Sequence, residues 1–203
     1  MSKNLFLVHT PYQLMNCLNI IEDYYNDSTN EIAFFHNNLI QYIPLVKKYN
    51  ENIQVYIYES LFDGEPSKNK TLLRLSLVLD LIKGKRLIKK VSNKDSVYDV
   101  IFIPSGHIAN NITYNHLFQK KSSLELCIYD DGNGTYAKGY LDNTNHSLYK
   151  MVSLILFGNF FWEEVSQVFC YQPILFDDSG VNIEKHKINS KKRVEKLFSE
   201  AID

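Results

Sequence analysis

Leu124-Glu125-Leu126-Cys127-Ile128-Tyr129-Asp130-Asp131-Gly132-Asn133-Gly134 is the stretch on which the fold reading turns. Leu124, Leu126 and Ile128 alternate with Glu125, Cys127 and Tyr129, which is the period of a β-strand. The run then stops at two adjacent carboxylates and two glycines. Asp130 and Asp131 therefore fall at the carboxyl end of a strand, the edge at which open α/β sheets take their ligands. Gly132 and Gly134 allow backbone angles or close approaches that a side chain forbids. Two acids on such an edge fit general-base chemistry on a hydroxyl. The same residues also make an ordinary strand-to-loop turn, since Asp-Gly and Asn-Gly are common turn dipeptides.

The segments on either side repeat a strand-then-helix pattern. Leu5-Phe6-Leu7-Val8 reads as a buried first strand over Asn4–His9. Thr10-Pro11-Tyr12-Gln13 follows at once. Thr10 can cap a helix, Pro11 suits its first position, and Gln13 completes a capping box. Leu14, Leu18, Ile21 and Tyr25 then share one helical face. Further strands are expected at Glu31–His36, Ile53–Tyr58, Tyr98–Ile103 and Val165–Tyr171. Helices are expected at Leu39–Tyr49, Thr71–Val91, Ile108–Gln119, His146–Phe157 and Ser190–Ala201, the last with Val194 and Leu197 facing inward. Phe62–Asn69 and Pro173–Val181 read as loops. This alternation predicts an α/β fold, a doubly wound and mainly parallel sheet with helices on both faces. Residues 1–175 form the expected Rossmann-like domain, and 176–203 a linker and helix.

Composition sets the outer limits. The chain has 203 residues, 45% hydrophobic and 22% charged, enough for one well-cored domain. A net charge of −1 gives no global field to recruit nucleic acid. Residues 68–94 carry nine bases against the single acid Asp80. That strip reads as the solvated face of a helix, or as a peripheral contact with an anionic inner membrane. The amino terminus lacks a signal-peptide shape, and no apolar run reaches the ~18 residues of a membrane span. A cytoplasmic protein, at most peripheral to the membrane, is expected. Cys17, Cys127 and Cys170 are widely spaced and lie in apolar runs, so they read as buried thiols and neither as disulfides nor as zinc ligands.

The remaining motifs are quiet. There is no HxxxH, HxH or DxD spacing, no GxSxG elbow around Ser105, no GxGxxG and no glycine before Gly64. Hydrolase, dehydrogenase and P-loop readings fall away. His9-Thr10-Pro11, Ser105-Gly106-His107 and Asp130-Asp131-Gly132 each follow a predicted strand, and would line one crevice. A histidine there is a candidate acid, base or anion ligand, or a turn histidine.

Two stretches together resemble a known family. Leu5-Phe6-Leu7-Val8-His9-Thr10-Pro11-Tyr12-Gln13-Leu14 looks like the amino terminus of bacterial sialyltransferases of glycosyltransferase family 52. Tyr129-Asp130-Asp131-Gly132 matches the acidic-acidic-glycine motif those enzymes share with polysialyltransferases. The resemblance covers roughly residues 4–175. It implies the Rossmann-like amino-terminal half of a GT-B enzyme that transfers sialic acid from CMP-sialic acid to a galactoside of capsule or lipooligosaccharide. It implies inversion at the anomeric carbon, no metal or other cofactor, and Asp130 or Asp131 as general base, with Asp130 at the strand end favoured. His9, Thr10, Pro11, Gln13, Ser105, Gly106, His107 and Gly132 become the expected substrate-binding residues. The family's second domain binds CMP through a His-Pro motif, and this sequence has no His-Pro dipeptide. The chain therefore reads as the acceptor-side domain, inactive in transfer by itself. Apolar surface left by an absent partner domain, with Phe160, Phe161 and Trp162 contributing, would favour a homodimer.

The rival reading is a non-catalytic flavodoxin-like binding or scaffold domain of a polysaccharide-assembly system. It predicts both acids buried in a salt bridge or helix cap. A response-regulator-like acidic pocket fits less well, because His9-Thr10 stands where that pocket needs acids.

Overall fold

The computed structural model of the chain describes residues 1–58, 96–104, 108–137, 147–158, 161–177 and 182–200. The elements, in order, are β1 (Lys3–Val8), α1 (Pro11–Tyr24), β2 (Thr29–Phe34), α2 (Ile43–Tyr49), β3 (Gln54–Ile57), β4 (Val100–Ile103), α3 (Ile108–Phe118), β5 (Glu125–Tyr129), α4 (Ser147–Phe157), β6 (Val165–Cys170), β7 (Glu184–Lys187) and α5 (Lys192–Ser199). The helix expected over Thr71–Val91 and the basic strip of 68–94 lie outside the described residues.

Among the described residues the seven strands form one sheet in the order β3-β2-β1-β4-β5-β6-β7, and every pairing is parallel. Strand order reverses between β1 and β4, the switch point of a dinucleotide-fold sheet. A flavodoxin-like order would place that reversal between the first and third strands. The flavodoxin-like form of the rival reading is thereby corrected.

Alternation along the strands explains why both faces are covered. Leu5, Leu7, Ala33, Ile101, Ile103, Leu126 and Ile128 point to one side, beneath Ala109, Tyr114 and Leu117 of α3. Phe6, Val8, Phe34, Phe102, Cys127, Tyr129 and Phe169 point to the other, against Leu14, Cys17, Leu18 and Ile21 of α1. Each fully buried side chain of this size contributes about 1.5–3 kcal/mol. The rings of Phe6 and Phe102 stack across β1 and β4 at 4.2 Å. Three free thiols are buried here, and burial pushes Cys17 well above the ordinary thiol value and Cys170 up to about 11.

Two local readings change. The helix expected over Leu39–Tyr49 is split into a 3-10 turn, Asn37–Tyr42, and α2. Pro44 is the cause: it has no N–H to continue a helix arriving from upstream, and it fits the first turn of a new one. The second change is β7, which sequence periodicity misses. Glu184-Lys185-His186-Lys187 shows no apolar alternation, yet it pairs in register with Gln167–Cys170. Its anchors are aromatic: His186 stacks on Phe169 at 4.6 Å, and the Tyr24 hydroxyl donates to the Lys187 carbonyl at 2.7 Å. Charged residues on a sheet edge guard it against pairing with other chains. Residues set apart by sequence as a linker thus include a strand of the sheet. After it, α5 buries Val194 and Phe198 against α1 and α2, with Leu197 half-buried.

Trp162 is buried in the core beside Val165 and does not contribute to an exposed patch. Phe160 and the side chain of Phe161 lie outside the described residues. Among the described residues no helix is long and apolar enough to cross a membrane.

Candidate functional site

The site is assembled at the carboxyl edge of the sheet, beside the β1/β4 switch. Its first half is the start of α1. Thr10 has an extended backbone and caps the helix: its Oγ1 accepts the Gln13 N–H at 3.2 Å. Gln13 returns the bond, its Oε1 accepting the N–H groups of Thr10 at 3.2 Å and His9 at 2.7 Å. Pro11 takes the first helical position. Because the Gln13 amide oxygen is committed to the cap, its Nε2 faces away from the cap. There it donates to Asp131 Oδ1. The capping box therefore orients a donor onto the acidic pair.

His9 ends β1 and reaches across the switch. Its Nε2 lies 2.7 Å from Oδ1 of Asn110, on the helix that follows β4. With that oxygen as acceptor, the ring proton sits on Nε2. The ring stacks on Phe35 at 4.7 Å and meets His36 edge-on at 5.7 Å.

The second half is the turn after β5. Asp130 continues the β5–β6 ladder, its N–H donating to the Phe169 carbonyl at 2.9 Å. Its side chain has no exposed surface. Oδ1 accepts the Gly132 N–H at 2.6 Å and the Tyr12 hydroxyl at 3.3 Å. Oδ2 accepts the Tyr136 hydroxyl, and the Tyr171 N–H at 3.5 Å. The Asp130 carbonyl accepts Asn16 Nδ2 at 2.9 Å, and Asn16 Oδ1 accepts the Tyr171 hydroxyl at 2.8 Å. Asn19 Nδ2 reaches that same hydroxyl at 3.4 Å. Gln13, Asn16 and Asn19 thus form a buried polar stripe on α1, at a spacing of three, facing the ends of β5 and β6.

Asp131 is the more open acid of the two, intermediate in burial. Its N–H donates to Thr135 Oγ1 at 2.8 Å, which closes the turn. Burial pushes its carboxyl above the ordinary carboxylate value. The Gln13 hydrogen bond works against that rise, and the neighbouring Asp130 charge adds to it. Sequence favoured Asp130 as the base. The geometry gives Asp130 to the interior and leaves Asp131 at the edge.

Gly132 makes this turn, with φ +100° and ψ −149°. An added Cβ would meet only Tyr12 Cε1, at 4.0 Å, so the obstacle to a side chain is the backbone angle. Gly132→Ala is expected to cost about 1–3 kcal/mol, the range for a non-glycine residue in such a region. A fall in the urea midpoint with an unchanged slope would show it; an unmoved midpoint would contradict the turn geometry.

No protein-family model matches the chain, and no curated protein matches it in sequence. Its fold is similar to that of the calicheamicin glycosyltransferase CalG4, with a TM-score of 0.59 and 14% identity over 94% of this chain and 53% of that one. The chain spans about half the length of that glycosyltransferase. A weaker likeness, with a TM-score of 0.43 and 11% identity, is to MurG of Acinetobacter baumannii, over 91% of this chain and 44% of that one. The fold is that of a Rossmann-like half of a GT-B glycosyltransferase.

The structure brings His9, Thr10, Pro11, Gln13, Asp130, Asp131 and Gly132 to one edge. Ser105, Gly106 and His107 lie outside the described residues. Polar residues of the site that sequence did not single out include Tyr12, Asn16, Tyr136 and Tyr171. The one available signal is the series Gln13, Asn16 and Asn19, polar residues at a spacing of three along α1. Among the described residues no group of three or more His, Cys, Asp or Glu side chains could hold a metal ion.

Proposed function

We propose that this chain is the acceptor-side half of an enzyme that transfers a sugar from a nucleotide-sugar donor to a sugar hydroxyl. The observation that carries the reading is Asp131. It is a half-buried carboxylate of raised proton affinity, at the carboxyl edge of the sheet beside the strand-order switch, in a GT-B-like fold. Sialyl transfer from CMP-sialic acid to a galactoside of capsular polysaccharide or lipooligosaccharide is the specific form the sequence resemblance supports. Asp131 takes the proton of the acceptor hydroxyl as its oxygen bonds to the anomeric carbon. The bond from that carbon to the CMP phosphate breaks on the opposite face, which inverts the configuration. Gln13 holds one carboxylate oxygen of Asp131 and leaves the other to the acceptor. Donor capture belongs to the other half of such an enzyme, and the step as written uses no metal.

The test is transfer by the full-length protein, with CMP-sialic acid and a panel of galactosides, and with UDP- and GDP-sugars in parallel. Sialylated product supports the specific form. Product from another donor keeps sugar transfer and replaces sialic acid. Galactoside binding to the 203-residue chain with no transfer from any donor by the full-length protein would instead support a binding domain.

A further inference from the structure

The proposed transfer leaves Asp130 without a task, and its surroundings are unusual. A carboxylate with no exposed surface is costly unless it is well bonded, and among the described residues no cation pairs with it. Its four donors come from four places: Tyr12 from the first turn of α1, Gly132 from the turn after β5, Tyr136 from the 3-10 turn Asn133–Tyr136, and the Tyr171 amide from the end of β6. Tyr136 is itself held, its hydroxyl accepting the Gln172 N–H at 3.2 Å. The carboxylate is where three chain segments that frame the edge of the sheet meet.

We infer that Asp130 is a positioning residue: from inside the core it ties Tyr12, Gly132 and Tyr136 into one frame that holds the neighbouring Asp131 at the edge of the sheet. The inference rests on the reading of Asp131 as the base. The frame works in two ways. Sterically, the Gly132 amide bound to Asp130 fixes the turn that aims Asp131. Electrostatically, a second carboxylate one residue away disfavours ionisation of Asp131, and so keeps it a stronger base. Among the described residues the other titratable groups around the pair are Tyr12 from α1, Tyr129 from β5, Tyr136 from the 3-10 turn, and Cys170 and Tyr171 from the end of β6. Burial raises the four phenols and the Cys170 thiol above their ordinary values, so they stay neutral while carboxylates titrate.

The experiment is a carbon-13 NMR titration of the Asp131 carboxyl in the 203-residue chain, assigned with Asp131→Asn. In the unaltered chain Asp131 titrates above the ordinary aspartate range. In Asp130→Asn, which keeps the side-chain shape, its midpoint falls by about one pH unit, the order expected when a like charge at this separation is removed. Tyr12→Phe/Tyr136→Phe serves if Asp130→Asn does not fold. It keeps both rings and removes two of the donors that hold the Asp130 carboxylate in the frame, so the turn that aims Asp131 loosens and the Asp131 midpoint shifts. An Asp131 midpoint unmoved in a folded variant overturns the inference. The titration needs no donor sugar, so its outcome is separate from that of the transfer assay. If the Asp131 midpoint moves but Asp131→Asn transfers normally, the coupling stands and the base is elsewhere.

Discussion

Asp131→Asn in the full-length protein is expected to lower kcat for sugar transfer about a thousand-fold, within the range attributed to a positioned general base. KM for the donor should change little, since Asp131 is assigned to the acceptor hydroxyl. Asparagine keeps an oxygen toward Gln13 Nε2, so the local geometry survives. The sign of the stability change separates a working base from a structural acid. The folded-state pKa of Asp131 is raised, mainly by burial. Ionising it therefore costs stability once the pH exceeds the unfolded value of about 4. Removing the charge should leave the protein at pH 7 as stable as the original or more so. A group that supports the fold would do the reverse. The pH profile makes the same point: the acid limb of kcat/KM should lie above the ordinary carboxylate range. Normal transfer by Asp131→Asn would move the chemistry away from this residue.

Gln13→Met is expected to cost about 2–3 kcal/mol and to depress transfer as well. Methionine matches glutamine in length and helix propensity, so the change isolates the amide. Three bonds disappear together: from the His9 and Thr10 N–H groups to Oε1, and from Nε2 to Asp131. Gln13 is only 3% exposed, so water does not readily replace them. Removing the partner of a buried polar group costs about 1–3 kcal/mol, and two bonds belong to one cap. In a domain of this size that is a fall in Tm of roughly 5–10 °C. The lost Nε2–H donor also lets the Asp131 pKa rise further. Calorimetry and the pH profile would report the two effects separately. An unchanged Tm would refute the shared role of the amide.

The sheet was legible because parallel strands buried on both faces read as apolar runs. Leu5-Phe6-Leu7-Val8 and Val100-Ile101-Phe102-Ile103 are such runs, and both are strands. The cap was legible because Thr10, Pro11 and Gln13 act within four residues of one another. β7 was not, because an edge strand held by His186 on Phe169 leaves no local period. Neither was the division of labour between the two acids. Burial of Asp130 depends on Tyr12, Tyr136 and Tyr171, which lie 118, 6 and 41 positions away along the chain, and nothing in Asp-Asp-Gly encodes them.

The double commitment of Gln13 makes the start of α1 a built-in reporter. Anything that draws Asp131 away from Nε2 frees the amide to swing, and the same swing loosens the His9 and Thr10 N–H groups. Displacement of Asp131 from the edge should therefore be readable as a change in deuterium exchange at two backbone amides, with no label on a sugar and no turnover.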